Sequence, residues 1–338
     1  MLKNNESVSI DDITLVKEGT EENLVANGDF AQNATAGWGS NWQGPTFKCE
    51  KIGGGIPLSD KEKKEVLTTA LDKWIAGMME ATEGKVKAWD VVNEALSGAD
   101  TDGDGKYDLQ SATRGTALEA DIPNSFYWQD YLGDLDYVRT AVASARKHFE
   151  ENGGNPEELK LFINDYNLES DWDNNGKLKS LIQWIKDWQA DGVTKIDGIG
   201  SQMHISCYGN PQTQESKKNA IVNMLKLMAE SGKLVRISEL DMAYVDETGK
   251  SVNTNDMTEE QHKQMRELYE FVIKKYFEII PEAQQWGICQ WCPTDSPANS
   301  GWRAGAPTGL WDKDYYRKHT YGGFAAGLGA PEYWNDAK

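Results

Sequence analysis

Two glutamates stand where a carboxyl group can do chemistry. Trp89-Asp-Val-Val-Asn-Glu94 puts Glu94 just past an apolar run of strand character. Val235-Arg-Ile-Ser-Glu239-Leu-Asp241 repeats the arrangement 239 − 94 = 145 residues later. A protonated carboxyl can donate to a departing oxygen while an ionised one attacks the carbon, and cleavage of a glycosidic bond needs that pair. The charges fit the task. While Glu239 is ionised a nearby Glu94 resists ionising, so it can act as the acid. Once Glu239 is esterified to the sugar the repulsion vanishes, and Glu94 becomes a base for water. Taken singly, either glutamate reads as a solvated loop carboxylate or an ion-pair partner. The two together, each at a strand end, point to catalysis.

The elements that must position them follow from hydrophobic period. Short apolar runs at 86–92, 160–164, 196–203, 234–238 and 285–291 read as strands, and stretches 59–81, 134–151, 175–190, 214–231, 258–278 and 315–327 have helical spacing. Strand–helix alternation implies a parallel α/β sheet or barrel. Polar residues gather at the strand ends: Asn93 with Glu94, Asn164 with Asp165, Gln202 with His204, Glu239 with Asp241, and Trp291. In a barrel that rim is where catalysis happens. Five strand–helix units are legible, not eight. Residues 7–16 alternate as a strand would, and the Gly- and Asn-rich stretch after them suggests further β-structure with turns.

Bulk composition narrows the partners. Lys plus Arg is 35 and Asp plus Glu is 54, so the formal charge is 35 − 54 = −19. Such a chain repels nucleic acid and anionic membranes but not a neutral polymer. No run of 18 apolar residues is present. The start, Met1-Leu2-Lys3-Asn4-Asn5-Glu6, has no signal-type apolar segment, so the chain as written is cytosolic or has lost an export signal. Trp 13 and Tyr 13 supply flat rings on which sugars stack. Four cysteines, Cys49, Cys207, Cys289 and Cys292, are too few for a disulfide scaffold. Cys289-Gln-Trp-Cys292 has redox or zinc spacing, yet no second pair is nearby, and two buried thiols are expected. Asp100, Asp102, Asp104 and Asp108, with Gly105, follow the front of a calcium loop, but Ser111 stands where the bidentate glutamate belongs. A plain acidic loop is the expectation, with no cofactor, although Glu119 or Asp121 could complete a site.

The glutamate motifs resemble those of glycoside hydrolase family 10, the endo-1,4-β-xylanases. Asn164-Asp165-Tyr166-Asn167, Gln202-Met-His204 and Trp291…Asp295…Trp302 with Leu310-Trp311-Asp312 are similar to that family's strands five, six and eight, over roughly residues 57–329. The resemblance implies a (β/α)8 barrel of which the five legible units are strands four to eight. It implies Glu94 as acid/base, Glu239 as nucleophile, and Asn93 bonded to the 2-hydroxyl of the sugar being cleaved. Gln202 would bond Glu94, and His204, backed by Asp241, would bond Glu239. Tyr166 and Asn167 would line the substrate site, with Trp291 and Trp302 as sugar platforms. The implied reaction is retaining endo-hydrolysis of xylan and xylo-oligosaccharides, with the carboxyls ~5–5.5 Å apart. The implied localisation is secreted, periplasmic or cell-surface.

The N-terminal 50 residues resemble something else. Ile10-Asp-Asp-Ile-Thr-Leu-Val16 is similar to the last strand of a family 4-like carbohydrate-binding module, and Asn23…Phe30…Gly37-Trp38 to the start of a second. Domains are therefore expected at 1–50, partial module segments, and 51–338, the C-terminal part of the barrel. Some gut-bacterial family 10 xylanases carry such modules after the third barrel strand, which places strands one to three upstream of Met1. A complementary barrel fragment is then a possible partner. Two alternatives stand beside the xylanase: a truncated, non-catalytic xylan-binding protein, and a β-1,4-glucanase using the same machinery.

Overall fold

A computed structural model describes residues 12–17, 19–20, 23–28, 30 and 58–331. The chain divides into two compact units, Met1–Ser59 and Asp60–Lys338. In the first, Val16 and Asn23 form an isolated antiparallel bridge, and the Ile13 amide donates to the Gly28 carbonyl at 2.9 Å. Of the strand expected over 7–16, residues 12–15 carry no strand; 7–11 lie outside the described residues, as do Gly37-Trp38 and Cys49.

The second unit opens with helix α1 (Asp60–Ala81) and strand β1 (Ala88–Asn93). After a long loop come the short α2 (Gln129–Leu132), α3 (Asp136–Glu151), β2 (Lys160–Asp165), α4 (Gly176–Gln189), β3 (Gly198–Ser201) and β4 (His204–Tyr208). Then follow α5 (Pro211–Glu230), β5 (Leu234–Val245), β6 (Ser251–Val252), α6 (Glu259–Ile279), β7 (Gln285–Gln290) and α7 (His319–Gly327). Local chemistry sets these limits. Asn210 caps α5 by accepting from the Thr213 amide at 3.0 Å, with Pro211 at the first turn. Thr258 and Gln261 form a reciprocal capping box on α6. Val138, Ala141, Val142, Ala145 and Phe149 recur on one face of α3, and all are buried.

Strands β1, β2, β3, β5 and β7 lie side by side in parallel. One face of the sheet carries the core: Leu161, Ile163, Ile199, Val235 and Ile237 pack with Val142, Leu181, Trp188, Met224 and Tyr276. The opposite face holds a layer of its own. Arg236 pairs with Asp90 and lies 4.9 Å over the Phe162 ring, which is 5.6 Å from that of Trp286. The sheet does not close, and β1 and β7 are its edges among the described residues. Trp286, on edge strand β7, is 41% exposed.

Two expectations need correction. The run 196–203 is not one strand. It breaks at Met203, whose φ is 59°, into β3, which pairs with β2 and the first half of β5, and β4, which pairs with the second half of β5. The cysteines of the last strand are not both buried: Cys289 is exposed and Cys292, past the strand end, is half-buried. Gln290 faces α6, donating to the Tyr269 hydroxyl at 3.2 Å, so the alternation of β7 turns the exposed Cys289 toward the opposite face.

Candidate active site

The carboxyl ends of β1, β2, β3 and β5 bring the sequence-singled residues together. Glu94 follows β1 in a left-handed conformation, φ 56°. Its amide donates to the Asn164 carbonyl at 2.9 Å, and its own carbonyl accepts from Gln110 Nε2 at 2.7 Å. A non-glycine residue held this way stores about 1–3 kcal/mol of strain, and such strain clusters at functional sites. Its carboxylate Oε1 accepts from Gln202 Nε2 at 2.7 Å and from Asn93 Nδ2 at 3.2 Å.

Glu239 lies in the middle of β5, half-buried. Its Oε1 accepts from Asn164 Nδ2 at 2.9 Å, and its Oε2 is 3.4 Å from His204 Nε2. Asn164 Nδ2 also donates to Asn93 Oδ1 at 2.8 Å. Asn93 and Asn164 thus bridge the two glutamates. Gly200 on β3 makes this possible: a Cβ there would stand 2.3 Å from Asn164 Oδ1.

The break at Met203 sends Gln202 toward Glu94 and His204 toward Glu239. His204 is the direct cross-strand partner of Asp241. Its Nδ1 is 2.9 Å from Asp241 Oδ1, an ionic contact bent out of hydrogen-bond alignment. Burial opposes a charged ring here, but contacts with Asp241 and Glu239 outweigh it and lift the His204 pKa to about 9. The fully buried Asp241 is held further by Trp302 Nε1 at 3.0 Å and by Arg303 at 3.3 Å. The rings of Trp302 and Trp291 lie 4.8 and 5.6 Å from the imidazole, and both remain nearly half exposed.

Beneath the rim, Asp165 pairs with Lys177 at 2.7 Å, both buried, and also accepts from the amides of Leu96 and Tyr166. Lys177 Nζ sits 3.4 Å from the centre of the Tyr166 ring. Burial, with Asp165 and Glu94 nearby, pushes the Tyr166 hydroxyl up to about 12. Asn167, φ 58°, is exposed beside it. In the acidic loop, carboxylate oxygens of Asp100, Asp102 and Asp104 lie within 4.8 Å of one another. Asp108 does not join them; it accepts from the Thr101 amide at 2.8 Å and hydroxyl at 2.6 Å.

Sequence reasoning gave no role to Asn164, Arg303 or Glu169. Asn164 was visible as a polar strand end. Glu169 lines a cavity of about 120 Å³ behind His204, where burial pushes its carboxyl up. Nothing local marks Arg303, which reaches the carbonyls of His204 and Ile205 at 2.8 and 2.6 Å from across the chain.

Five parallel strands backed by helices, with acidic, amide and aromatic groups at their carboxyl ends, define an α/β protein of the barrel type with a paired-carboxylate site. The profile of Glycosyl hydrolase family 10 matches residues 38–326, and the chain belongs to that family. It is 28% identical over 282 residues to the endo-β-1,4-xylanase Xyn10C of Cellvibrio japonicus, covering 82% of this chain and 39% of that protein. It is 30% identical over 263 residues to endo-1,4-β-xylanase A of Thermotoga neapolitana, covering 76% and 20%. The native Cellvibrio japonicus xylanase 10C structure superposes with a TM-score of 0.58 at 27% identity, over 79% of this chain and 52% of that one. Xylanase B of Clostridium stercorarium F9 gives 0.59 at 22% identity, over 78% and 68%, and shares the fold. The chain therefore spans only a fifth to two fifths of these curated relatives. The fold of the family is the (β/α)8 barrel, and the described residues supply five of its strands.

Proposed function

We propose that this chain carries the catalytic pair of a retaining endo-1,4-β-xylanase, acting on xylan and xylo-oligosaccharides by double displacement. The observation that carries this is the Asn93–Asn164 bridge, which ties Glu94 and Glu239 to one rim. Glu239 attacks the anomeric carbon while Glu94 protonates the leaving oxygen, and a covalent glycosyl-enzyme forms. Glu94 then takes a proton from water, which breaks the ester. Gln202 orients Glu94, and His204 backed by Asp241 holds the nucleophile in place. Asn93, exposed at the end of β1, keeps the second hydrogen of its amide for the sugar 2-hydroxyl, Tyr166 and Asn167 border that sugar, and Trp291 and Trp302 offer their exposed faces to flanking units. A polymeric substrate favours the secreted, periplasmic or cell-surface location that the family resemblance implies.

The open edges β1 and β7 belong to the same reading. Glu94 sits exposed at the end of edge strand β1. A complementary barrel fragment of three β/α units, joined to both edges, would exclude water from the pair and supply the remaining sugar contacts. Release of reducing sugar from xylan tests the activity. Glu239→Gln should lower kcat by about 10³-fold or more, and equal release by both forms would sink the assignment. One relative, 28% identical over 237 residues, is described as a thermostable celloxylanase of Thermoclostridium stercorarium. Parallel assays on xylan and carboxymethylcellulose therefore separate a xylanase from a β-1,4-glucanase.

A further inference from the structure

Residues 94–128 join β1 to α2, far beyond the ~2–6 residues that commonly link a strand to its helix; loops of such length in compact domains are usually functional. The second half of this loop carries Phe126-Tyr127-Trp128. With Gln110, Asp121 and Glu94 these residues line an open cavity of about 350 Å³. That is within the size of small-molecule sites, about 300–1,000 Å³.

Several features suit it to a sugar. Phe126 is apolar yet 50% exposed. Its ring lies parallel to Tyr131, centroids 5.2 Å apart and planes at 5°, and edge-on to Trp128 at 5.0 Å and 84°. A ring braced from two sides loses little freedom when a ligand arrives. Flat aromatic faces with polar neighbours accept the apolar face of a pyranose while carboxylate and hydroxyl groups take its hydroxyls. Asp121 and Ser125 stand at the same cavity wall. Among the described residues no lysine or arginine lines it, and Glu94 and Asp121 make it acidic, so an anionic sugar is disfavoured. Position assigns the half of the substrate. Glu94 delivers its proton to the departing oxygen, so the departing sugar lies against Glu94.

We propose that residues 121–129 form the leaving-group half of the sugar cleft, with Phe126 as the platform for a neutral β-1,4-linked pentose unit. This rests on Glu94 being the acid of the proposed reaction, but its primary test needs no turnover. Xylotriose is titrated into the full chain and binding is read by saturation-transfer NMR. Phe126→Ala should weaken binding about tenfold, and Phe126→Tyr should stay within about twofold of the parent chain. Equal binding by the parent chain and Phe126→Ala, or no binding by the parent chain, overturns the proposal. Loss of binding in Phe126→Ala from a chain that releases no reducing sugar would leave it standing and sink the hydrolase reading instead. In a kinetic arm, Phe126→Ala should lower kcat/KM for xylohexaose about tenfold more than for an aryl xylobioside, which has no sugar on the leaving side. An equal fall on both substrates would assign Phe126 to folding and overturn the proposal.

Discussion

At the scale of residues, His204 carries the clearest pH signature. Its ring stands between Glu239 and Asp241, with Glu169 behind it and Arg303 beside Asp241. The folded pKa of about 9 lies above the ordinary 6.5. Between those values the folded chain holds a proton that the unfolded chain has released, so stability falls as pH rises. The contribution is complete below pH 6.5 and gone above about 9. Thermal unfolding from pH 6 to 10 should show this slope, and His204→Gln should flatten it. An unchanged slope would deny the ion pairs. The chain has four histidines, so NMR can follow the His204 ring directly. Gly200 offers a second residue-scale test. An added Cβ would collide with the Asn164 amide that bridges the glutamates. Gly200→Ala should cost about 1–3 kcal/mol of stability by overpacking. It should also weaken turnover more than oligosaccharide binding, because Asn164 touches both Asn93 and Glu239. Parent-like kcat would remove Asn164 from the site.

At the scale of elements, the loop after β7 delivers two neighbouring side chains to Asp241, which backs His204. Trp302 donates to one oxygen of Asp241, while Arg303 shares the other with His204 and grips the carbonyls of His204 and Ile205. A planar fork meets three acceptors that a lysine cannot. Arg303→Lys keeps the charge but loses the clamp; Arg303→Met loses both. Arg303→Met should raise the His204 pKa further, since a neighbouring cation is gone, whereas Arg303→Lys should leave the titration near that of the parent and still lower kcat/KM. If neither variant moved either readout, Arg303 would be a plain surface residue. The elements themselves were largely legible beforehand. Leu161-Phe162-Ile163 is an unbroken apolar run because β2 is buried on both faces, and α3 shows its period because one side is buried. The break at Met203 was not legible, because a left-handed methionine inside an extended run leaves no pattern. Arg303 was hidden for a related reason: its partners lie 98 and 99 residues away, and only the folded loop brings them together. Phe126 carries no signal in the sequence, and only the cavity beside Glu94 gives it a place.

At the scale of the whole molecule, an acidic chain whose described residues form an open parallel sheet has two edges to manage. Strand edges present unpaired backbone groups and invite further strands. The layer of Asp90, Phe162, Arg236 and Trp286 is dense at its centre, where Phe162 is fully buried, but thins at β7, where Trp286 and Cys289 meet solvent. Among the described residues five parallel strands lie side by side, with the proposed catalytic Glu94 at the carboxyl end of edge strand β1, against eight in the family's barrel; the partner we propose is a fragment carrying three β/α units (8 − 5 = 3). Co-expression with a family 10 fragment carrying those units supplies the test. A stable one-to-one complex should form, Cys289 should become less reactive to a thiol reagent as its face of the sheet is covered, and xylan hydrolysis should rise well above that of the chain alone. Electrostatic repulsion at −19 should keep the isolated chain from self-pairing at low salt, so its association should grow as salt screens the charge. If the isolated chain were monomeric at all salt concentrations, fully active, and unchanged in Cys289 reactivity by the fragment, the open edges would be a finished feature of the molecule and the complementary partner would be excluded.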